Sequence, residues 1–169
     1  MVSIVTNKNR VAGHVCLRAC LSLAVGARDF CADVIPMNAH LESASRPSLY
    51  DTIGGASAVR RIVDRFYDIM DSSPAASRIR AMHAEDLSPM RRRLFEFFSS
   101  WLGGPPLYFQ RPGHHCIVRA HRRLSIGQAE RDEWMFCMGR ALEDCAVPGD
   151  LRTVLNARLV RMAEAFRNS

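Results

Sequence analysis

The sequence predicts an all-α fold: four long amphipathic helices around a long loop, preceded by an N-terminal extension. Three observations predict it. No segment alternates apolar and polar residues with period two, so no strand is expected. From Leu49 onward, apolar side chains recur at helical spacing in four separate stretches. Glycine and proline clusters stand between those stretches, where helices stop.

Residues 1–46 read as an extension whose apolar positions keep no sustained period, with at most a weak helix around residues 10–27. Residues 43–48, with Arg46-Pro47, read as a linker, and Met37 is left open as an alternative start. Residues 47–169 form the expected domain. Its first long helix carries Val59, Ile62, Val63, Phe66, Tyr67 and Met70 on one face, after Gly54-Gly55 and before Ser73-Pro74, where Pro74 is placed to start a short helix. Ser88-Pro89 reads as a cap followed by proline, opening a helix with Met90, Leu94, Phe97, Phe98 and Trp101 that Gly103-Gly104-Pro105-Pro106 stops. Residues 104–127 read as an ordered loop with one helical turn at His121. Trp134, Cys137, Met138, Ala141, Leu142 and Cys145 mark the third helix. After Pro148-Gly149, Asp150 is the expected N-cap of the fourth, which carries Leu151, Val154, Leu155, Leu159, Met162, Ala163 and Phe166.

The chain has 169 residues and a formal net charge of +6, with Lys8 as its one lysine. Residues 47–169 hold 18 basic and 14 acidic side chains, leaving +4. The arginines lie among acids, as Arg60, Arg61 and Arg65 do beside Asp64 and Asp68, which is the pattern of a solvated helix face. No nucleic acid is therefore expected as partner, although a basic helical module binding one is the third reading. No apolar stretch approaches the roughly 20 residues of a membrane span, and residues 11–27 are interrupted by His14 and Arg18. The expectation is a cytoplasmic protein without membrane attachment. The six cysteines, at positions 16, 20, 31, 116, 137 and 145, form no Cys-x-x-Cys pair and no Cys-x-x-Cys-His. Cys137 and Cys145 suit small apolar positions. His114, His115 and Cys116 are adjacent and so make poor joint chelators.

Six motifs in order carry a resemblance: Tyr50-Asp51-Thr52-Ile53-Gly54-Gly55, Arg65-Phe66-Tyr67, His83-Ala84-Glu85-Asp86-Leu87, Trp101-Leu102-Gly103-Gly104-Pro105, Gly113-His114 and Arg131-Asp132-Glu133-Trp134. Each is weak singly; in this order and spacing they resemble group II truncated haemoglobins over residues 48–169. The resemblance implies a truncated globin fold, a two-over-two helical sandwich around non-covalent haem b. His121, eight residues after Gly113, matches the proximal histidine that ligates iron. Tyr67 and Trp134 match distal donors to a bound ligand, and His83 a third distal position. Phe66, Met90, Arg93, Leu94, Phe97, Trp101, Tyr108, Arg119 and Met138 are the expected cofactor-binding set, with Met90 at the distal gate and Arg93 toward a propionate. The run Val118-Arg119-Ala120-His121-Arg122-Arg123 departs from the family's usual Arg-x-Arg-His, and His115 stands where proline is usual. Propionate contact is thereby shared among Arg119, Arg122 and Arg93, while the iron ligand is unaffected.

By spacing alone His121 is a weak metal signal and reads as a surface loop histidine, while Tyr67 and Trp134 read as core. The resemblance implies instead one neutral imidazole on iron, with the sixth position open to O2, CO, NO or peroxide. Hydrogen bonds of about 1.5–3 kcal/mol to a ligand carrying negative charge slow its escape about ten-fold each or more. Such retention favours redox chemistry, nitric oxide dioxygenation or peroxide reduction, over transport. Turnover then needs an external reductase, since no flavin or nicotinamide motif is present. A sensor or store of O2 or NO is the alternative, and a monomer or homodimer is expected. His83 is open between third donor, proton shuttle, sixth iron ligand and hydrogen-bond partner of Tyr67, the last being favoured.

Overall fold

The fold is that of a computed structural model, which describes residues 47–113 and 116–169. The extension with its weak helix, Met37, His114 and His115 lie outside the described residues. Eight α-helices are present among the described residues, with no strand: α1 (Leu49–Ile53), α2 (Gly55–Ser72), α3 (Ser77–Ala81), α4 (Ser88–Trp101), α5 (Leu107–Gln110), α6 (Ile117–His121), α7 (Gln128–Asp144) and α8 (Gly149–Phe166). A 3-10 turn, Pro74–Ala76, leads into α3. The long helices make the two-over-two sandwich: α2 packs on α4, α7 on α8, and α2 lies against α7.

The buried face of α2 holds Val59, Ile62, Val63, Phe66, Tyr67 and Met70, as its spacing predicts, with Ala58 and Ile69 added. Val59, Val63, Phe66 and Met70 are at most 1% exposed. Each contributes about 1.5–3 kcal/mol by leaving water, which makes α2 the spine of the core. Val154 is the exception among the α8 positions. It is 44% exposed, because Leu151, Leu155, Leu159 and Met162 already fill the inward line and residue 154 falls beside it.

Helix α1 was not anticipated. Ser48 caps it, its Oγ accepting the Asp51 N–H at 3.1 Å, and Gly54 ends it at φ 106°. Two caps differ from expectation. Ser88 is the first residue of α4 rather than its cap, and its N–H donates to Asp86 Oδ1 at 2.9 Å. Asp150 lies inside the first turn of α8, with Pro148 at the cap position. There its charge complements the helix dipole without closing a hydrogen bond. The region 104–127 contains two short helices, α5 and α6, rather than the one turn expected at His121.

The Gly-Gly motif after α4 has a packing cause. A Cβ on Gly104 would sit 2.5 Å from the Tyr50 ring. The Tyr50 N–H also donates to Leu102 O at 2.9 Å, so α1 is seated on the end of α4. Two of the six motifs thus meet in space as structural partners.

Candidate functional site

His121 ends α6 and is half-buried. Its Nδ1 lies 2.7 Å from Ile117 O. A carbonyl oxygen only accepts, so Nδ1 carries the proton and the lone pair of the neutral ring resides on Nε2. Burial pushes the His121 pKa down, the bond to Ile117 works against that, and His83 lowers it further. A neutral imidazole with its second nitrogen tied to the backbone is the arrangement metal-ligating histidines adopt. The ring stacks on Phe166 at 4.4 Å between centroids and 6° between planes.

A second cluster is aromatic. Phe66 is its centre: its ring meets Tyr67 at 4.9 Å and Trp134 at 5.5 Å, and Tyr67 meets His83 edge-on at 6.0 Å. The three predicted distal side chains are therefore brought into one run of ring contacts. Desolvation drives the buried Tyr67 phenol well above its ordinary value, only partly offset by the Arg91 guanidinium 5.6 Å over its ring. The phenol remains a donor at any physiological pH. His83 repeats the pattern of His121, Nδ1 lying 2.7 Å from Ile79 O, so its neutral ring also presents Nε2 as an acceptor.

The Arg-Asp-Glu-Trp motif shows why Trp134 lies beside this cluster. One residue earlier, Glu133 Oε2 accepts the N–H groups of Arg78 and Ile79 at 2.9 and 3.0 Å, capping α3 from α7. Arg131 meets Glu164 on α8 at 3.5 Å. The loop after α3 is wrapped by Arg80, which bonds Asp71 at 2.7 Å, Ala84 O at 3.0 Å and Glu85 O at 3.2 Å. Arg91 ties α4 to α2 through Asp64 O and Asp68 at 2.6 and 2.7 Å. Glu133 stands in a sequence motif without a role of its own and Arg80 in none, since long-range capping leaves no periodic signal.

The expected cofactor set divides in space. Met90 and Leu94 are half-buried on α4, Phe97 is buried one turn on, and Tyr108 meets the Phe97 ring edge-on at 5.5 Å. Arg93 and Arg119 are exposed, and neither makes an ion pair among the described residues. Trp101 and Met138 instead line a small apolar gap within the helical core, together with Val59, Ile62, Leu142 and Leu159. Met138 is fully buried there.

The donor chemistry suits a metal held inside a larger group. His121 and His83 each offer a single imidazole Nε2, and no cluster of three or more His, Cys, Asp or Glu exists among the described residues. A metal seated here must bring its other ligands with it, as a macrocycle does. The residues therefore fit haem.

Residues 48–168 match the family model described as bacterial-like globin. The group 2 truncated hemoglobin YjbI of Bacillus subtilis (strain 168) is 31% identical over 119 residues, 70% of this chain and 87% of that protein. The group II 2-on-2 hemoglobin of the plant pathogen Agrobacterium tumefaciens is 39% identical in structure-based comparison, covering 75% of this chain and 98% of that one at a TM-score of 0.70. The cold-adapted truncated hemoglobin of the Antarctic marine bacterium Pseudoalteromonas haloplanktis TAC125 is 34% identical, covering 73% and 99% at a TM-score of 0.70.

Proposed function

We propose, since the chain belongs to the bacterial-like globins as a group II truncated haemoglobin that binds haem non-covalently and diatomic gases upon it, that it retains its gas ligand for redox chemistry on nitric oxide or peroxide. Haem, when bound, supplies an iron that takes gas ligands and exchanges single electrons. His121 would hold that iron through Nε2. The observation that carries this assignment is the Nδ1 bond to Ile117 O at 2.7 Å on a ring that burial keeps neutral.

On the distal side the chain contributes protons. Tyr67 keeps its Oη proton because burial opposes ionisation, and the Trp134 indole can only donate. His83 differs from both. With its Nδ1–H spent on Ile79 O, the neutral ring accepts at Nε2, as it would from the Tyr67 hydroxyl, and donates there only after taking a second proton. Two fixed donors beside one acceptor that can be protonated favour holding a negatively charged ligand and moving a proton to it. Exposed Arg93 and Arg119 would meet the propionates. Electrons would come from an external reductase.

His121→Gly tests the ligand assignment: pigment retention should fall and added imidazole should restore it. Retention unaffected by the change refutes His121 as ligand. Rates then separate turnover from storage or sensing. Oxygenated protein mixed with nitric oxide should give fast ferric product, or peroxide should be consumed; failure of both leaves the sensor or store.

A further inference from the structure

Five residues are too few for α6 to be stable by itself, and among the described residues no side chain caps its N-terminus. At its C-terminal end Val118 O takes the Arg122 N–H at 3.2 Å and His121 O the Leu124 N–H at 3.0 Å, and the far end of the fold adds further bonds to this turn. Just beyond α8, Asn168 directs its Nδ2 to His121 O at 3.3 Å and to Leu124 O at 2.8 Å. Its Oδ1 accepts the Ile126 N–H at 2.9 Å. The backbone closes the same stretch, with Asn168 N–H donating to Ile126 O at 2.9 Å and Ser169 N–H at 3.2 Å. Two residues earlier, Phe166 lies parallel to the His121 ring.

We infer that Asn168 is a positioning residue for His121: its carboxamide caps α6 across the chain and, with the Phe166 ring, sets the plane and height at which the imidazole is offered. The inference rests on the reading of His121 as iron ligand. The ring is constrained from two independent sides. Its Nδ1–H bond fixes rotation relative to α6, and the amide clamp fixes α6 relative to α8. Asn suits the task because one planar group serves two carbonyls and one N–H. Aspartate keeps the acceptor and loses both donors; leucine loses all three.

The test uses the haem-loaded full chain. In Asn168→Leu the iron–histidine stretching band of the ferrous protein, read by resonance Raman, should shift or broaden. Haem transfer to a scavenger apoprotein should quicken about ten-fold, the scale of one lost polar network. Hydrogen exchange at the Ile126 amide should also quicken, with or without haem. Arg167→Ala, which removes only a 2.8 Å pair with Glu164, is the control and should leave all three unchanged. If Asn168→Leu retains no pigment, Asn168→Asp is read by the band and the transfer rate alone, since it keeps the acceptor for the Ile126 N–H. An unshifted band and unchanged transfer in a pigmented variant overturn the positioning role while leaving the ligand assignment intact. A wild-type protein that binds haem but shows no iron–histidine band overturns both.

Discussion

Replacing Glu133 with alanine should loosen α3, the helix that leads to His83, by a calculable amount. The carboxylate accepts two N–H groups of α3 at 2.9 and 3.0 Å, and its side chain is 15% exposed. A hydrogen bond to a charged group nets about 1.5–3 kcal/mol, and loss of a helix cap costs about 0.5–2 kcal/mol. Both bonds share Oε2, so the second adds less than the first. The Arg78 ion pair at 3.5 Å adds under about 1 kcal/mol, because that arginine is 63% exposed. The total is about 2–3 kcal/mol. For a domain of this size, thermal unfolding should fall by roughly 8–12 °C. Glutamine keeps a neutral acceptor and should lose about half as much. Circular dichroism melts of both variants measure this, with Arg65→Ala as reference. That variant breaks an exposed 2.7 Å pair with Asp144 and should cost less than about 1 kcal/mol. A Glu133→Ala melt no lower than the Arg65→Ala melt would refute the capping argument.

Further outcomes are equally specific. Trp134→Phe should speed oxygen dissociation about ten-fold in stopped-flow measurements by removing one donor; an unchanged rate takes the indole out of the ligand site. Gly104→Ala should cost about 1–3 kcal/mol in denaturant unfolding, because its Cβ meets the Tyr50 ring at 2.5 Å. Adding Tyr50→Ala should make the two costs less than additive, and simple additivity would deny the close approach. Burial pushes the Cys137 thiol up to about 11 from an ordinary 9.0, with Glu133 adding to the effect. The folded state then holds a proton that the unfolded state releases between pH 9 and 11, so this stabilisation is complete below pH 9 and lost as pH rises through that window. Wild-type stability should decline more steeply than that of Cys137→Ala from pH 8 to 11, and parallel curves would contradict the burial argument.

What the residues alone decide here is periodic. The α2 face from Val59 to Met70 and the α8 line from Leu151 to Met162 follow from a 3.6-residue repeat, and glycine or proline marks their ends. The six motifs, read in order, also led to the family and to His121, Tyr67, His83 and Trp134 as a set. Tertiary packing decided the rest, because it depends on partners far apart in the chain. The short helices α5 and α6 are held by Ser100 and Asn168, and α1 by Leu102 as well as by its own Ser48 and Gly54 caps, so beyond the turn at His121 their extent was not read from the sequence. Nothing in Asn168 or Glu133 as letters shows that one caps the histidine's helix and the other caps α3 from across the core. Even the tautomers of His83 and His121 follow from which carbonyl lies within 2.7 Å of each ring, and backbone geometry alone sets that.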